Sequence, residues 1–213
     1  GDYPLGEVVA VLGPQTAAIA VVSPNNPTGA VARAADLCRL SEAAPQALLI
    51  LDAAYAEFAE DDLTADALGL PNAIVLRSFS KAWGVAGLRV GCAIGPAEVI
   101  RWLRAAGGPY AVSQPSLTLV GELLRRGDSP VREYVHRVRR ERNELIAALR
   151  ELGADPSPSQ ANFVWSRFKN AAWVKDALAG LGIWVRSFPH RPEIADGLRI
   201  ACSGNGQGHT RLH

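Results

Sequence analysis

The sequence predicts an α/β protein: a large domain built on a largely parallel sheet, followed by a smaller α+β unit. Three observations carry this. Short apolar runs rich in β-branched residues alternate with segments of helical spacing as far as Ile94, the pattern of βα units. A long charged stretch of helical spacing, Val131 to Leu152, then ends at the breakers Gly153, Pro156 and Pro158. Beyond them the chain reads strand, helix, strand, strand. The predicted organisation is an incomplete large domain over 1–127, a connecting helix over 128–152, a small C-terminal domain over 153–204 and a disordered tail over 205–213.

Ala18 to Val22 is an apolar run that meets a turn at Ser23-Pro24, a buried strand. Val31 to Ala44 has helical spacing, with Val31, Ala34, Ala35, Leu37 and Cys38 as its apolar positions and Pro45 as its stop. Ala47 to Leu51 is a second strand ending at Asp52, and Ala73 to Leu76 a third ending just before Ser78. Val90 to Ile94 is a fourth, and Pro96 opens the helix after it. Pro115 to Arg126 and Val131 to Leu152 are helices; the charges of the second, including Glu141 and Arg142, read as a solvated face. Asn162 to Ser166, Ile183 to Arg186 and Leu198 to Ala201 are strands, with a helix over Ala171 to Leu181.

With 213 residues, 48% hydrophobic and 20% charged, and a net charge of +1, the chain buries a core. That charge calls for no nucleic acid or anionic surface. No apolar run approaches the roughly 20 residues of a membrane span, and no charged-then-apolar leader opens the chain. Cys38, Cys92 and Cys202 are far apart and without a nearby histidine pair. They read as buried small hydrophobes rather than a disulfide framework or a metal site, which fits a reducing cytoplasm. The chain has no methionine and opens on Gly1, so its initiator is lost through processing or lies in an upstream part.

Lys81 is the residue from which a chemical reading starts. It lies among small hydroxyls and glycines, in Arg77-Ser78-Phe79-Ser80-Lys81-Ala82-Trp83-Gly84, with Arg89 following. Ser78, Ser80 and Arg89 make a phosphate cradle of two short donors and a forked cation. Lys81 is an amine held beside that phosphate, and Schiff-base formation is the commonest covalent use of lysine. Asp52 ends a strand, where a carboxylate either caps a helix or keeps a pyridine nitrogen protonated. Tyr55 stands three residues on, placed to hydrogen-bond a ring hydroxyl. Asn25 or Asn26, in Ser23-Pro24-Asn25-Asn26-Pro27-Thr28-Gly29, offers an amide to a cofactor oxygen, and by chemistry alone either serves. The same residues make an ordinary turn. Together they read as a pyridoxal 5'-phosphate (PLP) site at the carboxyl ends of strands, where open α/β sheets bind their ligands.

The strings SPNNPTG, LDAAYAEF, SFSKAWGVAGLRVG, SQANFVW, GIWVRSF and LRIACSG resemble fold-type I PLP enzymes, the class I/II aminotransferases. Within these the likeness is greatest to histidinol-phosphate aminotransferases and their aromatic-aminotransferase relatives, and it runs from about Ala18 to Gly204. The resemblance implies that Lys81 forms the Schiff base and shuttles the proton. It implies that Asp52 pairs with the pyridine nitrogen, that Asn26 and Tyr55 hold the ring oxygen, and that Ser78, Ser80 and Arg89 bind the cofactor phosphate. It also implies that Arg199 grips the acid group of the substrate and that Arg186 is a second anion-binding arginine. The family's usual Glu is Ala53 here, and its usual aromatic is Cys92.

The implied activity is amino transfer between a small-molecule donor, glutamate, and a phosphorylated or aromatic keto acceptor, in a cytoplasmic homodimer. No metal, nucleic acid or membrane is implied. Two alternatives stand beside it: a PLP-dependent threonine-phosphate decarboxylase, which shares the cofactor residues, and an inactive aminotransferase fragment. The family's upstream phosphate-binding turn, ring-stacking aromatic and C-terminal helix have no counterpart between Gly1 and His213. The chain therefore reads as a fragment or the product of a truncated gene, with weak PLP binding and slow turnover of its own.

Overall fold

The computed structural model describes residues 3–205. Apart from Asn205, the tail expected to be disordered lies outside the described residues. The chain divides into two compact units: the residues up to Pro24 together with Val31–Val131, and Asn25–Ala30 together with the chain from Arg132 onward.

The first unit is built on four strands, β1 (Ala18–Val22), β2 (Leu48–Asp52), β3 (Ala73–Ser78) and β4 (Gly91–Ile94), in the order β1-β2-β3-β4. β1, β2 and β3 are parallel, with α2 (Ala34–Ala43) in the first crossover and α3 (Thr64–Leu68) in the second. β4 runs antiparallel to β3, pairing Ser78 with Gly91 and Arg77 with Cys92. The twelve residues between these two strands form a glycine-containing loop rather than the helical crossover that a parallel return requires.

Ile19, Val21, Leu49, Leu51, Ala73 and Val75 belong to one buried cluster with Leu37 and Leu40 of α2. Burying a leucine there contributes about 1.5–3 kcal/mol. The apolar face of α2 differs from the expected one. Leu37, Leu40 and Ser41 are buried, whereas Ala35 and Cys38 face solvent. The reason is the 3.6-residue period: Leu37 to Leu40 and Ser41 is one face, and Cys38 is rotated off it. The sequence reading missed α1 (Leu5–Ala10), one and a half turns long, and α3, only five residues. α4 (Ala97–Ala106) and α5 (Gln114–Arg126) complete the unit, and Ser113 caps α5 by accepting from the Ser116 amide at 3.3 Å.

The second unit contains α6 (Ser129–Glu151), which begins just before the unit boundary, then β5 (Asp155–Pro156), β6 (Phe163–Arg167), α7 (Ala171–Gly180), β7 (Arg186–Ser187) and β8 (Gly197–Ala201). Its sheet is antiparallel throughout, in the order β5-β6-β8-β7. α6 is not the uniformly solvated helix its composition suggests. Val135, Val138, Arg142, Leu145 and Leu149 repeat at three and four residues and are buried, and Glu141 is buried beside them. Glu141 Oε2 accepts from the Gly204 amide at 2.6 Å and Arg142 Nη1 donates to the Ala161 carbonyl at 3.2 Å. Each charge is carried inward because a backbone group meets it there. Among the described residues no helix is long and apolar enough to cross a membrane.

The cysteines correct another expectation. Cys202 is buried, but Cys38 and Cys92 are exposed. Burial, with the nearby Glu141 carboxylate, pushes the Cys202 thiol up to about 12. A thiol reagent at pH 8 is expected to modify Cys38 and Cys92 in the native protein and to reach Cys202 only on unfolding; peptide mass spectrometry of the labelled native protein checks this.

Candidate functional site

In the first unit the predicted residues gather at the carboxyl edge of the parallel strands. Asp52 is the last residue of β2 and pairs with Val22 of β1 and Leu76 of β3. Ser78 is the last residue of β3. Parallel strands in register bring these ends to one edge, which is why residues 26 positions apart share a neighbourhood. The Asp52 carboxylate accepts from the Ala54 amide through Oδ1 at 3.0 Å, and Oδ2 has no donor among the described residues.

Past Ser78 the chain folds tightly around Lys81. The Phe79 amide donates to the Val90 carbonyl at 3.2 Å, the Gly84 amide to the Lys81 carbonyl at 3.1 Å and the Val85 amide to the Phe79 carbonyl at 3.3 Å. Gly84 takes the left-handed φ of 69° that this turn needs. The Ser78 hydroxyl accepts from the Ser80 amide at 3.1 Å and keeps its own proton for donation. Arg89, also left-handed at φ 55°, is exposed and spends one N–H on the Ala86 carbonyl at 3.1 Å. Gly91, opposite Ser78, allows β4 to come close: a Cβ there would stand 2.7 Å from the Arg77 carbonyl oxygen. The Lys81 ammonium lies over the ring of buried Tyr55, 5.4 Å from its centroid, and has no carboxylate partner among the described residues.

In the second unit the structure separates the two asparagines. Asn25 Oδ1 accepts from the Thr28 hydroxyl at 3.0 Å within its own turn, while its backbone bonds Ala30 and Gly29 at 2.7 and 2.8 Å. Asn26 is exposed, and its Oδ1 accepts from Arg199 Nη1 at 2.7 Å. Arg199, in mid-β8, stacks its guanidinium 5.0 Å from the Phe163 ring centroid. Its Nε is buried with no acceptor among the described residues. Arg186 is the cross-strand partner of Arg199 in the β7–β8 pair. Like charges directly opposite are unfavourable in a sheet unless an anion joins them. Asn26 and Arg199, 173 positions apart in sequence, are thus brought together, and Arg186 joins them through sheet register.

The turn that carries Asn26 is fastened by Gly29. Gly29 has φ 76°, and its carbonyl accepts from the Gln160 amide at 2.8 Å. A Cβ at Gly29 would run into the Ser159 hydroxyl and lie 2.8 Å from the Ser159 Cα. Gly29→Ala is expected to cost about 2–3 kcal/mol through overpacking and left-handed strain. Calorimetry would show Tm lower by roughly 5–10 °C.

Arg77, Glu57 and Asp62 were not picked out by the sequence reading. Arg77 donates to Glu57 Oε1 at 2.8 Å, Asp62 Oδ2 at 2.6 Å and Thr64 Oγ1 at 2.8 Å. Partial burial raises the affinity of Asp62 for a proton, but hydrogen bonds from Thr64 and Arg77 outweigh it and hold the carboxyl below the ordinary range. The available signal was an arginine next to the end of an apolar strand, preceded by a carboxylate-rich segment that includes Glu57, Glu60, Asp61 and Asp62.

The donors and acceptors left over match a phosphate-bearing pyridine aldehyde. An amine, two hydroxyls and an exposed guanidinium sit on one loop, with an incompletely bonded carboxylate on the neighbouring strand end.

Known proteins bear on this arrangement. The chain is 43% identical over 211 residues to an aromatic amino acid aminotransferase of Mycobacteroides abscessus, covering 93% of this chain and 57% of that protein. It is 38% identical over 184 residues to a histidinol-phosphate aminotransferase of Caldanaerobacter subterraneus, covering 86% of this chain and 52% of that one. Among solved structures, histidinol-phosphate aminotransferase from Sinorhizobium meliloti, in complex with pyridoxal-5'-phosphate, matches with a TM-score of 0.87 at 25% identity over 98% of this chain and 58% of the other. The chain thus spans little more than half the length of these relatives. Residues 7–210 match the family described as aminotransferase class I and II, and to that family of PLP-dependent enzymes this chain belongs.

Proposed function

We propose that the protein is a PLP-dependent aminotransferase of the histidinol-phosphate or aromatic type, moving an amino group between glutamate and a phosphorylated or aromatic keto acceptor. The observation that carries this is Lys81: an amine without a carboxylate partner, over the Tyr55 ring, on the loop that also bears Ser78, Ser80 and Arg89. When bound, pyridoxal 5'-phosphate supplies an electron sink that acidifies the substrate Cα–H bond.

The chain's own residues do the rest. Ser78, Ser80 and Arg89 would hold the phosphate with hydroxyl protons and a guanidinium. Asp52 would keep the ring nitrogen protonated through its carboxylate. Tyr55 and Asn26 would hydrogen-bond the ring oxygen. Lys81 Nζ would hold the cofactor covalently and would carry a proton to and from the substrate Cα. Arg199 would grip the substrate carboxylate through its Nε and Nη groups, with Phe163 beneath the guanidinium. Arg186, opposite it in register, would take a second anion, the phosphate or carboxylate of the acceptor. A homodimer in the cytoplasm is part of this reading.

The test supplies the protein with PLP, glutamate and either imidazole-acetol phosphate or phenylpyruvate, and follows 2-oxoglutarate. Glutamate-dependent turnover with at least one acceptor is expected. Carbon dioxide release from threonine phosphate without amino transfer would overturn the proposal.

A further inference from the structure

Arg77 is the last residue of β3 before Ser78, and none of the roles proposed above uses it. Its guanidinium reaches three side chains that precede it in the chain: Glu57, Asp62 and Thr64. Glu57 lies in the helical turn Ala56–Phe58, two residues after Tyr55. Asp62 also accepts from the Thr64 amide at 3.0 Å at the start of α3. One guanidinium therefore ties the segment that bears Tyr55 to the strand that leads into Ser78, Ser80 and Lys81. The pair is shielded: Arg77 and Glu57 keep 19% and 16% of their side-chain exposure. A rigid fork can serve two carboxylates and a hydroxyl at once, where a lysine would be a single point charge. The same commitments leave Arg77 unsuited to bind an added phosphate, in contrast to Arg89, which makes one backbone contact.

We propose that Arg77 is a positioning residue of the PLP site, holding Tyr55 in place against Lys81 through Glu57 and Asp62 rather than touching the cofactor. This rests on the aminotransferase reading above. Its reach is the geometry of Tyr55 over the Lys81 amine, so its loss should act through Tyr55.

The experiment measures PLP dissociation constants and the pH midpoint of the bound cofactor's absorption change. It compares wild type, Arg77→Gln, Tyr55→Phe and the double variant, with the Tm of each without PLP. Arg77→Gln is expected to weaken PLP at least about tenfold and to move the pH midpoint in the same direction as Tyr55→Phe. The double variant is expected to lose less than the product of the two single losses, because the second change removes a group already misplaced. Asp62→Asn removes one partly exposed link, keeps the fold if Arg77→Gln does not, and is expected to weaken PLP about threefold. A lower Tm with PLP affinity and pH midpoint at wild-type values, in Arg77→Gln or in Asp62→Asn, would overturn the positioning role and leave the aminotransferase reading standing. Wild-type protein that takes up no PLP would overturn both.

Discussion

Replacing Lys81 with alanine is expected to abolish covalent retention of PLP and to lower transamination by about two to four decades, the usual worth of a positioned proton-transfer group. The basis is local. Lys81 is held by the turn closed at Gly84 and Val85, over Tyr55, with no carboxylate to neutralise it among the described residues. The other two lysines offer no such setting. Lys175 pairs with Asp176 at 3.5 Å on α7, and Lys169 lies in the connection before α7. Borohydride reduction of the PLP-loaded protein, followed by peptide mass spectrometry, should place the label on Lys81. Label on Lys169 or Lys175 would reject the assignment.

Arg199→Ala is expected to raise KM for glutamate by about one to two decades, corresponding to roughly 1.5–3 kcal/mol for a charge-assisted partner, while PLP content stays unchanged. The prediction is sharper than a lost surface charge would be. Arg199 is fixed on three sides: by Asn26 Oδ1 at 2.7 Å, by the Phe163 ring below it and by β8 itself. Its Nε is buried with no acceptor among the described residues, so that donor remains for a ligand anion to satisfy in the proposed role. Loss of PLP with unchanged glutamate binding, read by cofactor absorbance and initial rates, would reject the role.

The strands were legible because an apolar β-branched run such as Ala18–Val22 has few other uses, and α5 and α6 because their spacing persists over many turns. Short elements were not. The five residues of α3 give periodicity too little length to register, and the helix takes its place from packing. The buried charges of α6 were misread for a different reason. Glu141 and Arg142 look like solvent-facing residues in any composition count, whereas in the fold the Gly204 amide and the Ala161 carbonyl meet them and help to make burial favourable.

The site divides in the same way. Lys81, Ser78, Ser80 and Arg89 lie within twelve residues of one another, so the sequence alone determined that an amine, two hydroxyls and a guanidinium share one loop. It also determined the α/β class and the family. The meeting of Asn26 with Arg199, 173 positions away, was decided by tertiary structure, whereas Asn25 bonds Thr28 within its own turn. So was the meeting of Arg186 with Arg199, which depends on strand register, and the binding of the Tyr55 segment to β3 through Arg77. Local chemistry is written in neighbouring residues. A contact between residues far apart in the chain exists only once sheet register and core packing have set the backbone that carries them.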